Sequence, residues 1–216
     1  MNSKIRKAVD RLHNILPLHA QRNRLDQQGA TLHHMLLRSF VENGRILQRR
    51  EISALVDNAD AVISELAAKG LIVCDANNNP IGAYPFTMEQ RVHRLRVNDF
   101  DVHAMCALDA LAVSLMFDYP VVIDSQCAIS KAPIHIMQHA NVIQNSHQLR
   151  GVSFAINWDA AAEGSCCANS LCTEMIFIRH ETDASRWLAG DSKGRELFNL
   201  NEAVEFAGAF FIPLLK

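Results

Sequence analysis

Residues 51–87 read EISALVDNADAVISELAAKGLIVCDANNNPIGAYPFT. The spacing of apolar positions predicts a short helix from Glu51, a turn over Asp57 to Asp60, a second helix to Lys69 closed by Gly70, and then two strands, Leu71 to Cys74 and Ile81 to Phe86. The link between the strands, Asp75-Ala76-Asn77-Asn78-Asn79-Pro80, gathers residues that tolerate left-handed backbone and suits a hairpin tip. Helix, turn, helix, hairpin is the order of a winged helix. The second helix offers Asp60 and Glu65 against a single Lys69, and no Arg, Asn or Gln able to reach a base edge. It is therefore expected to pack rather than to read DNA, and nucleic acid is not an expected partner.

Upstream, Ile5, Val9, Leu12 and Leu16 recur at helical spacing until Pro17, and a second periodic run over residues 31–48 is interrupted near its end by Gly44. Residues 1–50 hold ten Lys and Arg against three Asp and Glu, whereas the remainder holds eleven against twenty. The basic surface suits solvent or phosphates. After Met88 the pattern changes, and the expected domains are residues 1–87 and 88–216. Asp101 to Phe117 is expected to be one helix, capped by Asp99 or Asp101 and stopped by Tyr119-Pro120. VVIDSQCAISKAPIHI, residues 121–136, alternates about a turn at Ser130 to Pro133 and predicts a hairpin. GVSFAINW (151–158) and TEMIFIRH (173–180) read as further strands, with helices around Asp183 to Ala189 and Asn201 to Ala207. The expected fold class is α+β: an N-terminal helical, winged-helix-like domain followed by a mixed or antiparallel β-sheet catalytic domain with flanking helices.

Of the 216 residues 49% are apolar and the formal net charge is −2, which excludes a disordered chain. The longest apolar run, Ala110 to Phe117, includes Ser114 and is far too short to span a bilayer. The first residues, MNSKIRKAVDRLHNIL, lack the apolar core of a secretory signal, so a cytoplasmic location is expected. Six cysteines, Cys74, Cys106, Cys127, Cys166, Cys167 and Cys172, are too sparse for a disulfide scaffold. They are read as free thiols, packing residues or metal ligands.

Cys106 and Asp109 stand at an i, i+3 spacing that on a helix sets a thiol beside a carboxylate, a pair able to hold a metal or move a proton. Cys166, Cys167 and Cys172 add three thiols within seven residues at spacings foreign to structural zinc sites. No P-loop, GxGxxG turn, GxSxG elbow or HExxH helix is present. The ten histidines are scattered and read as surface or core residues.

Further motifs are Asn79-Pro80-Ile81-Gly82, Cys106-Ala107-Leu108-Asp109-Ala110-Leu111, Ser125-Gln126-Cys127-Ala128, Ser170-Leu171-Cys172 before Ile176-Phe177-Ile178, Ala184 with Trp187, and Phe198 to Ala203. In combination they resemble the organomercurial (alkylmercury) lyases of bacterial mercury resistance, over roughly residues 30–210. The resemblance implies protonolysis of a carbon–mercury bond to a hydrocarbon and Hg(II). It makes Cys106 and Cys172 the catalytic thiols, Asp109 the catalytic carboxylate, and Cys127 a structural cysteine. Aligning through the strand and the Ala184/Trp187 helix selects Cys172, whereas matching by a vicinal pair would select Cys166. Cys166 and Cys167 stay open between auxiliary thiols that pass mercury onward and plain loop cysteines. His103 and Met105 stand where the family often has aromatic residues, and Leu171 replaces a Phe, so the pocket wall differs. No organic cofactor is implied. Hg(II) is the bound product, and the implied partners are an organomercurial substrate, small cytosolic thiols and a mercuric reductase. Two alternatives are a lyase for another organometal, of tin, lead or arsenic, and a metal- or thiol-responsive winged-helix regulator.

Overall fold

The computed structural model describes residues 1–161, 167–190 and 193–215. Helix α1 (Ser3–Ile15) starts at Asn2, whose side chain accepts the Ile5 N–H, and it buries Ile5, Ala8, Val9 and Leu12 as the periodicity predicts. After α2 (Leu18–Arg22), α3 (Gln27–Asn43) begins earlier than its apolar spacing indicates, because the Asp26 carboxylate caps it by accepting the Gly29 N–H at 2.7 Å. It ends at Gly44, which takes φ +66°. Residues 51–83 fold in the expected order: α4 (Arg49–Ile52), α5 (Ala59–Ala68), Gly70 at φ +68°, and the paired strands β1 (Ile72–Cys74) and β2 (Pro80–Ala83). The second strand stops at Ala83 rather than running to Phe86, because the chain turns at Tyr84-Pro85 and Phe86 pairs back against Ala83. The hairpin tip is held by Asp75, whose carboxylate accepts the Asn77 and Asn79 amides, each at 2.8 Å. Asp60 of α5 is occupied by an ion pair with Arg49.

The structure corrects the segment that follows. Asp101 to Ala104, expected in a helix, belong to a hairpin: β3 (Phe86–Thr87), β4 (His93–Val97) and β5 (Phe100–Ala104) lie side by side. Val97 pairs with Phe100, leaving Asn98 and Asp99 as a two-residue link at φ 46° and 66°. Positive φ at both positions matches the right-handed twist of paired strands, and Asn and Asp accept it at little cost. Neither Asp99 nor Asp101 is a cap, and α6 (Ala107–Phe117) begins only after Cys106.

Helix α6 is buried on nearly every side, the pattern of a helix at the centre of a fold rather than on its surface. The expected hairpin then forms in full, β6 (Pro120–Gln126) against β7 (Pro133–His139), followed by β8 (Val142–Ile143). A second sheet comprises β9 (Ser153–Asn157), β10 (Met175–Ile178) and β11 (Arg195–Asn199), with α7 (Glu181–Leu188) between the last two and α8 (Leu200–Phe211) after them. Strand β11 was not expected. α8 is longer than its sequence signal because an Asn199–Glu202 capping box opens it and Phe206, Phe210 and Phe211 are buried along it.

All pairings are antiparallel, in the orders β1-β2-β3-β5-β4-β6-β7-β8 and β10-β9-β11, so the protein is α+β with antiparallel sheets. Strands β4 and β7 alternate buried and exposed residues, giving the larger sheet one solvated face. Helix α6 packs between that sheet, strand β10 and α8. Among the described residues no helix is long and apolar enough to cross a membrane.

Candidate functional site

Strand β5 delivers Met105 and Cys106 to the N-terminus of α6. Cys106 is the cap: its backbone is extended and its Sγ accepts the Asp109 N–H at 3.4 Å. Thiol and carboxylate thus meet as cap and third helical residue rather than on one face within the helix as the spacing predicts. Both lie at the positive end of a buried helix dipole, which favours negative charge there. The Asp109 side chain is buried, and neither oxygen has a hydrogen-bond partner among the described residues.

Cys172 arrives from the other sheet, on a 3-10 turn (Leu171–Glu174) that leads directly into β10. Packing of β10 on α6 closes the distance. The Sγ atoms of Cys106 and Cys172 and a carboxylate oxygen of Asp109 all lie within 4.8 Å of one another. Two further sulfurs border the group: Met175 Sδ receives the Cys106 thiol at 3.5 Å, and Cys167 Sγ sits 3.4 Å from Cys172 Sγ. Cys166 lies outside the described residues. Cys127 serves elsewhere, its Sγ accepting the Ser130 and Arg179 amides at 3.4 and 3.3 Å while facing Asp183 Oδ2 at 3.8 Å. With its own N–H bonded to Ala132 and the Ala128 N–H bonded to Phe177, it ties the β6–β7 turn to β10.

Burial sets the electrostatics. Desolvation lifts Asp109 to about 7, with adjacent Cys106 and the positive charge of Arg91 pulling the other way. At neutral pH its protonated and ionised forms coexist. Desolvation likewise pushes the Cys106 thiol up to about 12, the nearby Asp109 charge adding to the effect. Cys172 is raised through its sulfur neighbours Cys106 and Cys167, and by burial. The resting site therefore holds thiols, not thiolates, and a ligand must bind sulfur strongly enough to displace their protons.

A cavity of about 280 Å³ opens on this cluster, with Cys172, Met105, Met175 and Phe177 in its wall and Arg91 and His93 beside them. A larger hollow of about 540 Å³, lined by Leu115, Val204 and Ile212, contains no thiol, and its size alone gives it no chemistry. His93 is a site residue that the sequence does not reveal. It hydrogen-bonds Ser125 Oγ at 2.8 Å, meets the Phe177 ring edge-on, and burial lowers its pKa to about 4, so the imidazole is neutral. Met175 and Arg91 likewise carry no sequence signal of a site; only the alternation of β4, just after Arg91, hints that one of its faces lines a wall. His103 is turned to the backbone, bonded to the Arg91 carbonyl at 2.9 Å, whereas Met105 faces the cavity.

Comparison with known proteins gives the family and the fold. The family model described as alkylmercury lyase matches residues 86–212, which contain every member of the sulfur–carboxylate cluster. Among solved structures, the crystal structure of the mercury-bound form of MerB2 superposes with a TM-score of 0.71 at 17% identity, covering 94% of this chain and 98% of that one. That likeness extends the shared fold to nearly the whole chain. Because the family model matches more than half of its length, the chain belongs to the alkylmercury lyase family, enzymes that cleave the carbon–mercury bond.

Proposed function

We propose that this lyase uses Cys106 and Cys172 to hold the mercury of an organomercurial, R–Hg–X, and Asp109 to carry a proton to the departing carbon. The observation that carries this reading is the convergence of those two sulfurs and one carboxylate within 4.8 Å at the end of a cavity. Mercury is soft and binds thiolate far better than oxygen or nitrogen, which explains why protonated, buried thiols are adequate ligands. Cys172 borders the cavity and meets the substrate first: its sulfur replaces X on mercury, and its proton leaves with X. Cys106 then bonds to the metal while its proton passes to the Asp109 carboxylate. Asp109, now an acid, gives that proton to carbon; the carbon–mercury bond breaks, R–H departs, and Hg(II) stays on two sulfurs. Two thiol protons are consumed, one by X and one by R, and no electrons are exchanged.

In this reading residues 88–216 carry the chemistry and residues 1–87, winged-helix-like, brace it. The family match begins at residue 86, near that boundary, while β1 to β3 join the larger sheet and so anchor the first part directly to the second. Small thiols of a cytoplasmic setting, and beyond them a mercuric reductase, are the proposed acceptors of the metal. Gas-phase detection of methane or benzene from methyl- or phenylmercury, with thiol in excess, tests the reading. Release by the parent protein and loss of about 10²–10⁴-fold in Asp109→Asn are expected. Undiminished release from that variant would move the proton relay elsewhere.

A further inference from the structure

We infer that Cys167 is a third sulfur ligand for the Hg(II) product and the first step of its exit, an inference that rests on reading Cys106, Cys172 and Asp109 as the cleavage site. Cys167 Sγ stands 3.4 Å from Cys172 Sγ, close enough that one metal ion on Cys172 also contacts Cys167 after a small shift of either side chain. The three thiols form a row from the interior outward: Cys106 is 1% exposed, Cys172 3% and Cys167 8%.

The short 3-10 segment bearing this third thiol (Cys167–Asn169) is fixed to the cavity wall. Arg91, whose guanidinium is itself paired with Glu89 at 2.5 Å, donates to the Ala168 carbonyl at 3.3 Å and to Asn169 Oδ1 at 3.2 Å. Arg91 is thus a positioning residue that holds Cys167 beside Cys172.

The chemistry gives that third sulfur a task. While R is attached, mercury has carbon and incoming sulfur as ligands; once R–H leaves, the ion is two-coordinate and held by two buried thiolates. Softness favours another thiolate over the Asp109 oxygen as the next donor. Cys167–SH adds to Hg(SCys)₂ with loss of one proton to solvent, giving a three-sulfur anion. Two external thiols then return the metal as Hg(SR′)₂. Their two protons and one from solvent restore three cysteine thiols. Charge balances and nothing is oxidised or reduced. Displacement by a third sulfur is the route by which thiols exchange at a soft centre, so Cys167 loosens a product that two buried sulfurs alone would retain.

The test uses the full chain with one equivalent of HgCl₂, read by mercury-edge X-ray absorption. Three sulfur neighbours are expected in the parent protein and two in both Cys167→Ser and Cys167→Ala. With limiting glutathione, steady-state hydrocarbon release by either variant should fall about tenfold, because exchange rather than cleavage is slowed. Two sulfurs in the parent, or three persisting in the variants, would overturn the inference. The probe is Hg(II) itself, so the sulfur count is read whether or not an organomercurial is cleaved; failure of the parent to release hydrocarbon counts against the cleavage site alone.

Discussion

A carboxyl group whose two oxygens are both buried without hydrogen-bond partners is costly once ionised, and among the described residues Asp109 is in that position. Folded, it keeps its proton up to about pH 7, whereas in the unfolded chain it loses it near 3.8. Between those values the folded state binds more protons, so this residue's contribution to stability falls as pH rises, by at most about 1.4 kcal/mol per pH unit. Asp109→Asn should therefore be more stable than the parent at pH 8 by roughly 2–4 kcal/mol in urea unfolding, while losing cleavage. Lower stability of the variant at that pH would show that the carboxylate is stabilised in the fold. The paired thiols give a second prediction at this scale. Cys172→Ser should abolish hydrocarbon release and Cys166→Ser should preserve it; the reverse result would mean that the vicinal-pair register is the right one.

Elements hold these residues through close backbone contacts. At Gly82 on β2, an added Cβ would come 2.7 Å from Met105 Cε and 2.9 Å from the Phe86 carbonyl oxygen. Gly82→Ala is expected to destabilise the protein by about 1–3 kcal/mol and to press Met105 into the cavity, raising KM for bulky aryl mercurials before small alkyl ones. Unchanged urea midpoint and KM would contradict this. Local signals made some elements legible and others not. Residues 51–83 and the β6–β7 hairpin could be read because Gly70, the Asp75 to Pro80 tip and strict alternation leave one solution, whereas the turn at Tyr84-Pro85 that sets Phe86 in a new strand was not legible. Residues 100–104 could not, since Val102, Met105 and Cys106 also suit a helix. The choice is made by Asn98 and Asp99 in left-handed backbone and by the neighbours β3 and β4, which a single segment does not display. Cys106, Asp109 and Cys172 were singled out by spacing and family resemblance. The nearness of Cys167, Met175 and His93 depends on how β10 and the 3-10 turns dock against α6.

Over the whole molecule, buried groups pull stability in opposite directions with pH. His33, buried in α3 with both ring nitrogens unpartnered among the described residues, is lowered to about 3, and His93 to about 4, chiefly by desolvation. Their folded forms bind fewer protons than the unfolded chain between those values and 6.5, so their contribution is lost as pH falls through that window. With Asp109 acting oppositely, stability should peak near neutrality, and His33→Leu should move acid unfolding to lower pH; an unmoved acid transition would mean that His33 is protonated in the fold. The same architecture brings two sheets together around α6, so that Cys106 from one side and Cys172 from the other converge beside Asp109, the arrangement proposed to grip one soft ion. The most direct measurement of that central claim is a single turnover of one equivalent of phenylmercury in D₂O, following both products. The parent chain should release monodeuterated benzene and retain one Hg(II), while Cys106→Ser and Cys172→Ser release none. Benzene released at the parent rate by either variant would contradict the account.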